Sequence, residues 1–340
     1  MIPVTSALNT AWQPLDAAPN LRELLAPVAE DMVRVDRLIR QRLHSEVALV
    51  NEIGAHIVTS GGKRLRPALL LLVARALGHQ SDLAPLLAVV IEFIHTATLL
   101  HDDVVDHADL RRGRKTANAV WGNSGAVLSG DFLYSRSFQL MVEAGRMPVM
   151  QVMADATNAI AEGEVLQLMN THDPAVDEAR YLRVIELKTA RLFEASAALG
   201  AICANQDAAG VERMRRFGHA LGMAYQLVDD LLDYIADPEI SGKNLGADLA
   251  EGKPTLPLIH AMEKSNRAQS ALIRASISNG EIEKLANVLE AVEQTGAIPY
   301  TRSFAERYGA EALEAIGDIP DSPYKRSLIG VVNFTLSRSA

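Results

Sequence analysis

LLAVVIEFIHTATLLHDDVVD, residues 86–106, is the stretch whose reading decides the fold. Taken alone, LLAVVIEFI would suit a buried strand, but helical patterns flank it and no strand partner lies nearby, so it reads as a helix. From Pro85 the helical pattern continues into HDDVVDHADLRRGR, where Gly113 is the first stop signal. The apolar run from Leu86 to Leu100 is too short to cross a bilayer, which takes roughly 20 apolar residues, and Glu92 and His95 interrupt it. The same holds for PALLLLVARALG from Pro67. Both are expected as helices buried on most sides of a large bundle.

The rest of the chain agrees. It has 340 residues, of which 49% are hydrophobic, 22% charged and only 5% aromatic, a balance that excludes disorder and leans toward helix. Leu25, Val28, Met32, Val35, Leu38 and Ile39 form one helical stripe; SGGKRLRP, residues 60–67, is a turn into the next helix. Another helix is expected after GNSGAVLSGD, one from Met150, one or two starting between Asp173 and Asp177, and one ending at Asp237 and Pro238. SGKNLGADLAEGKPTLP, residues 241–257, lacks helical periodicity and is expected as a functional loop, with amphipathic helices after it. No linker divides the chain, so residues 1–340 are expected as a single all-α domain, with 1–20 a loosely ordered segment. Against 42 acidic residues stand 33 basic ones, a net charge of −9 that disfavours nucleic-acid binding through phosphate neutralisation. The single cysteine, Cys203, lies among Ala and Leu as a buried thiol would. The N-terminus has no basic region and no Arg before Arg22, so no targeting signal is indicated and the cytoplasm is the expected compartment.

The chemistry is concentrated in DDVVD (Asp102, Asp103, Asp106) and DDLLD (Asp229, Asp230, Asp233). At about 100° per residue, the first, second and fifth positions share one helix face. One such cluster is ordinarily a solvated surface. Two with identical spacing, each entered from an apolar helix, would place six carboxylates near the core, at a large electrostatic cost unless cations neutralise them. Magnesium suits oxygen ligands and commonly joins one or two carboxylates to substrate phosphates. Lys63, Arg64, Arg66, Arg111, Arg112, Lys188, Lys243 and Lys253 lie beside these clusters and glycine turns, as phosphate-binding cations would.

GGKRLRP, HDDVVDHADLRRG, GDFLYSR, EGEVLQL, KTARLF, YQLVDDLLDY and GKNLGADLAEGKPTLP occur in that order. Together they resemble the trans-type polyprenyl diphosphate synthases. The resemblance implies an isoprenoid synthase bundle around a deep central cavity, working as a homodimer. It implies that Lys63, Arg66, His95 and Arg112 bind isopentenyl diphosphate. Asp102, Asp103 and Asp106 would hold Mg²⁺ on the allylic diphosphate, which Arg111 also contacts. Lys188, Thr189, Gln226, Lys243 and Lys253 match diphosphate-binding and carbocation-stabilising positions, and Asp229, Asp230 and Asp233 the second metal cluster, with two or three Mg²⁺ per site. Of these, the five aspartates other than Asp233, with Lys188, are the expected catalytic residues.

The implied reaction ionises an allylic diphosphate, attacks the cation with the double bond of isopentenyl diphosphate, and loses a proton for which the released diphosphate is the acceptor. The growing tail would run beneath Asp102 past Thr98, Ala97 and Ile94, roughly 6, 7.5 and 12 Å along the helix axis. Small Thr98 and Ala97 imply an open tunnel and a long product, an octaprenyl chain for a quinone; geranylgeranyl, nonaprenyl and decaprenyl chains remain alternatives. Met153 and Met169 are candidates for the tunnel floor, and transient membrane contact during product release stays open, without a membrane span. A terpene cyclase would not need GGKR with Arg112, and a silent regulatory subunit would not keep both aspartate clusters.

Overall fold

The structure is a computed structural model and describes residues 20–59, 62–111, 113–235 and 245–338. The N-terminal segment expected to be loosely ordered lies, up to residue 19, outside the described residues. Asn20 caps α1 (Leu21–Leu24) by accepting from Arg22 N. A 3₁₀ turn with Pro27 follows, then α2 (Ala29–Arg42), so the expected amphipathic segment is broken where proline removes an amide donor. Val28, Val35 and Ile39 of its stripe are buried.

After α3 (Ala48–Thr59) come α4 (Leu65–Ala76) and α5 (Leu83–Val105), the two apolar helices. At 23 residues and a mean hydropathy of 1.9, α5 is long and apolar enough to cross a membrane, which corrects the expectation that this segment is too short. Within the bundle 61% of that apolar window is buried, so α5 is a core helix here. It also stops earlier than the Gly113 signal suggests. Asp106 is its C-cap, His107 turns left-handed at φ 50°, and Ala108 N donates to Asp103 O at 2.9 Å. A short antiparallel pair follows, β1 (Leu110–Arg111) with β2 (Arg114–Lys115).

α6 (Ala117–Ala144) runs through GNSGAVLSGD rather than starting after it, with its path broken at Gly122 (φ 77°). Beyond it lie α7 (Met147–Asn170) and α8 (Glu178–Ile185), the latter capped by Asp177. A π-helical turn (Glu186–Ala190) leads into α9 (Arg191–Cys203), and α10 (Ala208–Ile235) follows. The expected loop is not wholly irregular: Ala247–Ala250 form the short helix α11. The chain closes with α12 (Leu256–Lys264), α13 (Arg267–Asn279), α14 (Leu285–Gln294), α15 (Ala297–Ala315) and α16 (Pro323–Ser337).

Two apolar cores share α10. Met214, Phe217 and Leu221 belong to the core built from α4, α5, α6, α7 and α9; Leu227, Val228 and Leu232 belong to the one formed with α8 and α12–α15. The π turn is gripped between α7 and α10 because glycine stands at both contacts. A Cβ on Gly163 would lie 2.7 Å from Lys188 N, and one on Gly222 2.6 Å from Ala190 Cα. Lys188 and Thr189 are thereby held at fixed depth, on the kind of helical bulge that recurs at functional sites.

Candidate active site

Both aspartate clusters stand at the C-terminal ends of long helices, α5 and α10. The negative end of the helix dipole adds to the carboxylates there, which makes each end an attractor for cations. In the structure side-chain cations answer that charge. Arg111 grips Asp103 with Nε and Nη2, both at 2.8 Å. Lys188 Nζ lies 2.6 Å from Glu164 and 3.7 Å from Asp102, and Lys253 Nζ lies 3.3 Å from Asp106 with Glu251 as its other partner. Across from them Arg338, beyond the end of α16, donates to Asp229 at 2.9 Å and rests 4.6 Å over the Tyr225 ring.

The remaining two aspartates are held by neutral donors. Asp230 accepts from Tyr181 Oη at 2.5 Å and from Gln226 Nε2 at 2.6 Å. Asp233 accepts from the backbone N–H groups of Ala247 and Asp248, both at 3.0 Å, and so pins α11 beside the site.

The ion pairs do not offset the whole cost of burial. Loss of hydration raises the pKa of Asp102 and Asp103, and pushes Glu164 and Asp230 up to about 7 despite their donors. Asp248 is also raised, first by burial and then by Asp230 and Asp233. Burial works against the Lys253 ammonium, yet Glu251 and Asp106 outweigh it and its pKa rises.

A cavity of about 290 Å³ brings together Arg111, Lys188, Thr189, Gln226, Lys253 and, from the second cluster, Asp229 and Asp230; Asp102, Asp103 and Asp106 do not line it but pair with Lys188, Arg111 and Lys253, which do. Lys63, Arg66 and His95 form a neighbouring group outside its lining. Arg66 Nη1 lies 3.3 Å from His95 Nε2 and the guanidinium sits 4.5 Å over Phe193, with its pKa lowered by burial against the pull of Tyr225, Glu92 and Asp229. Lys63 lies 5.6 Å over the Phe334 ring of α16. Arg64 is not part of this group: left-handed at φ 42°, it turns to Asp36 and Glu92. Arg112 and Lys243 lie outside the described residues.

A family model described as polyprenyl synthetase matches residues 47–295. The chain belongs to the polyprenyl synthetase family. It is a prenyltransferase resembling octaprenyl diphosphate synthases: that of Escherichia coli (strain K12) is 48% identical over 320 residues, 94% of this chain and 99% of the relative. The all-trans-nonaprenyl-diphosphate synthase (geranyl-diphosphate specific) of Rhodobacter capsulatus is 45% identical over 93% of this chain and 98% of its own length. A crystal structure of polyprenyl synthase from Caulobacter crescentus CB15, complexed with calcium and isoprenyl diphosphate, superposes with a TM-score of 0.90 at 41% identity, covering 95% of this chain and 99% of that one.

In this polyprenyl synthetase Ile94, Ala97 and Met153 are fully buried in the first core, and the half-buried Thr98 donates to His95 O at 2.8 Å. None of the four lines the 290 Å³ cavity. Met169 is 69% exposed, so it is no floor within this subunit. Glu164, Tyr181, Asp248 and Arg338 escaped the sequence reading. Glu164 and Asp248 fall inside the quoted segments EGEVLQL and GADLAEGKPTLP, whereas nothing in the sequence marks Tyr181 or Arg338. Among the described residues no three acidic, His or Cys groups converge closely enough to enclose a metal ion. The donor set is nonetheless all carboxylate oxygen, and burial raises the pKa of Asp102, Asp103 and Asp230 in spite of their partners. That fits a hard divalent cation which completes its shell with water and phosphate.

Proposed function

We propose that this prenyltransferase is a long-chain trans-polyprenyl diphosphate synthase, adding isopentenyl diphosphate to an allylic diphosphate such as farnesyl diphosphate in a Mg²⁺-dependent condensation. The observation that carries this is one cavity lined by Arg111, Lys188, Lys253, Asp229 and Asp230, whose three cations each pair with a carboxylate of the first aspartate motif. Lys188, Lys253 and Arg111 bind the allylic diphosphate and stabilise the negative charge that grows on it as the carbon–oxygen bond breaks. Asp102, Asp106 and Asp229 would hold Mg²⁺, which supplies further charge neutralisation on that leaving group. Lys63, Arg66 and His95 orient isopentenyl diphosphate from the adjoining group, together with Arg112. Thr189 and Gln226 line the cavity with hydroxyl and amide oxygens suited to a developing cation. The proton lost after attack goes to the released diphosphate.

An octaprenyl product is the length we favour, since Ala97 and Thr98 place little bulk on the helix that ends at Asp102. A homodimer is supported by the unpartnered apolar residues on the outer faces of α6 and α7, among them Leu128, Val165, Leu168 and Met169. The test is to incubate the protein with isopentenyl and farnesyl diphosphates with and without Mg²⁺, then weigh the prenyl alcohol after dephosphorylation. Octaprenol formed only with the metal is the expected result. A cyclised hydrocarbon, or no condensation by the chain alone, would overturn the proposal; another linear length would correct only the product.

A further inference from the structure

Tyr181, Thr189, Gln226 and Asp230 all line the cavity, and they are joined in a single chain of hydrogen bonds. Thr189 Oγ1 donates to Gln226 Oε1 at 2.8 Å, Gln226 Nε2 donates to Asp230 Oδ1 at 2.6 Å, and Tyr181 Oη donates to Asp230 Oδ2 at 2.5 Å. Gln226 and Asp230 are one helical turn apart on α10, whereas Tyr181 reaches in from α8. Tyr181 and Asp230 are each only 5% exposed, so water contributes little to holding them.

An amide side chain fits its pocket nearly as well when flipped, and only its partners decide which end is oxygen. An ionised carboxylate accepts and never donates. Toward an ionised Asp230 Gln226 turns its nitrogen, as it does in the structure, and its oxygen then stands at the far end, beside Thr189. That oxygen in turn takes the Thr189 hydroxyl hydrogen. With the Thr189 hydroxyl hydrogen given to Gln226 Oε1 and the amide nitrogen turned to Asp230, Thr189 Oγ1 and Gln226 Oε1 offer lone pairs to the cavity. Reversed, the amide would aim N–H groups at the same place, and those repel positive charge. Tyr181 supplies the second donor to Asp230. With both oxygens engaged, the carboxylate cannot swing toward Lys253 or a bound cation and release the amide.

We propose that Tyr181 is a positioning residue which, through Asp230, fixes the polarity of the Gln226 amide so that Gln226 and Thr189 present only lone pairs to the allylic cation. This rests on the prenyltransferase reaction assigned above. It gives Asp230 a different task from its neighbour Asp229, although the two are adjacent in one acidic motif. It also predicts that Tyr181 acts on the cation alone, leaving the binding of both diphosphates unaltered.

The test is Tyr181→Phe, assayed at pH 8, with affinity measured for two unreactive probes. One is an allylic diphosphate analogue carrying a protonated amine where the cation develops; the other is farnesyl thiodiphosphate, which has no cationic centre. Tyr181→Phe should weaken the ammonium probe roughly tenfold or more relative to the thiodiphosphate and lower kcat similarly. The Michaelis constants for both substrates should stay unchanged. In a Gln226→Ala background the same substitution should cost nothing further, because its effect passes through that amide. An unchanged probe ratio, equal weakening of both probes, or additive losses in the double variant would each overturn the proposal. If Tyr181→Phe does not fold, Thr189→Val and Thr189→Ser decide: the valine should lose the ammonium preference and the serine keep it, and a valine variant that retains it overturns the proposal. A wild-type protein that neither condenses the substrates nor prefers the ammonium probe would instead refute the assigned reaction.

Discussion

Without divalent metal, the protein should lose stability as the pH rises toward neutrality. Glu164 has an ordinary value of 4.5 and Asp230 one of 3.8, and in the fold both stand at about 7. A carboxyl whose folded pKa is raised stabilises the protein fully below its unfolded pKa, and that contribution is lost as the pH climbs through the folded value. One Lys188 ammonium serves both Glu164, at 2.6 Å, and Asp102, at 3.7 Å, so a second carboxylate ionised there has no cation of its own. Each group contributes a slope of up to about 1.4 kcal/mol per pH unit, or roughly 2–3 kcal/mol between pH 5 and 7. His79 and His260, both lowered from 6.5 by burial, act in the opposite sense at and below that pH, so the clean window lies between pH 6.5 and 7.5. Urea unfolding in a chelator across that range should show stability falling, and Glu164→Gln should remove up to one proton's worth of slope. Mg²⁺ with diphosphate should flatten the curve, because bound cations favour the ionised carboxylates. Metal-free stability that is level or rising from pH 6.5 to 7.5, or a slope unchanged in Glu164→Gln, would show that these carboxylates are not buried at a net cost.

Arg338→Ala should lower metal-free stability by only about 1 kcal/mol. The bond to Asp229 and the stacking on Tyr225 are lost, but so is the cost of burying Nε and Nη1 without partners. It should also tighten Mg²⁺ binding in calorimetry by removing a competing cation; weaker binding would contradict that role. Arg111→Ala should raise the Michaelis constant for the allylic substrate and Arg112→Ala that for isopentenyl diphosphate, each by about 1.5–3 kcal/mol, and both acting on one substrate would refute the division. Ala97→Phe should shift products toward farnesyl and geranylgeranyl chains in an active enzyme. Full-length product together with a stability loss of about 1–3 kcal/mol would mark Ala97 as a packing residue.

What the sequence determined by itself was local or repeated. The apolar run into Asp102 identifies a core helix because helical period and burial act on neighbouring residues, and DDVVD with DDLLD marks two acidic helix ends because the same costly pattern occurs twice. Asp177 announces the start of α8 for an equally local reason, a side chain capping its own helix. The end of α5 was beyond such reasoning: no glycine stands at His107, and the left-handed turn there is held by bonds back to Val104 and by Ala108 N on Asp103 O. The division of labour among the aspartates was also a tertiary decision. Asp229 faces Arg338, Asp230 faces Tyr181 and Asp233 faces the amides of α11, although one motif supplies all three. Glu164 and Lys188 are 24 residues apart, and Asp229 and Arg338 are 109 apart. Pairings of that span follow from how α7, α8, α10 and α16 pack, and no periodicity within one helix encodes which charge its end will meet.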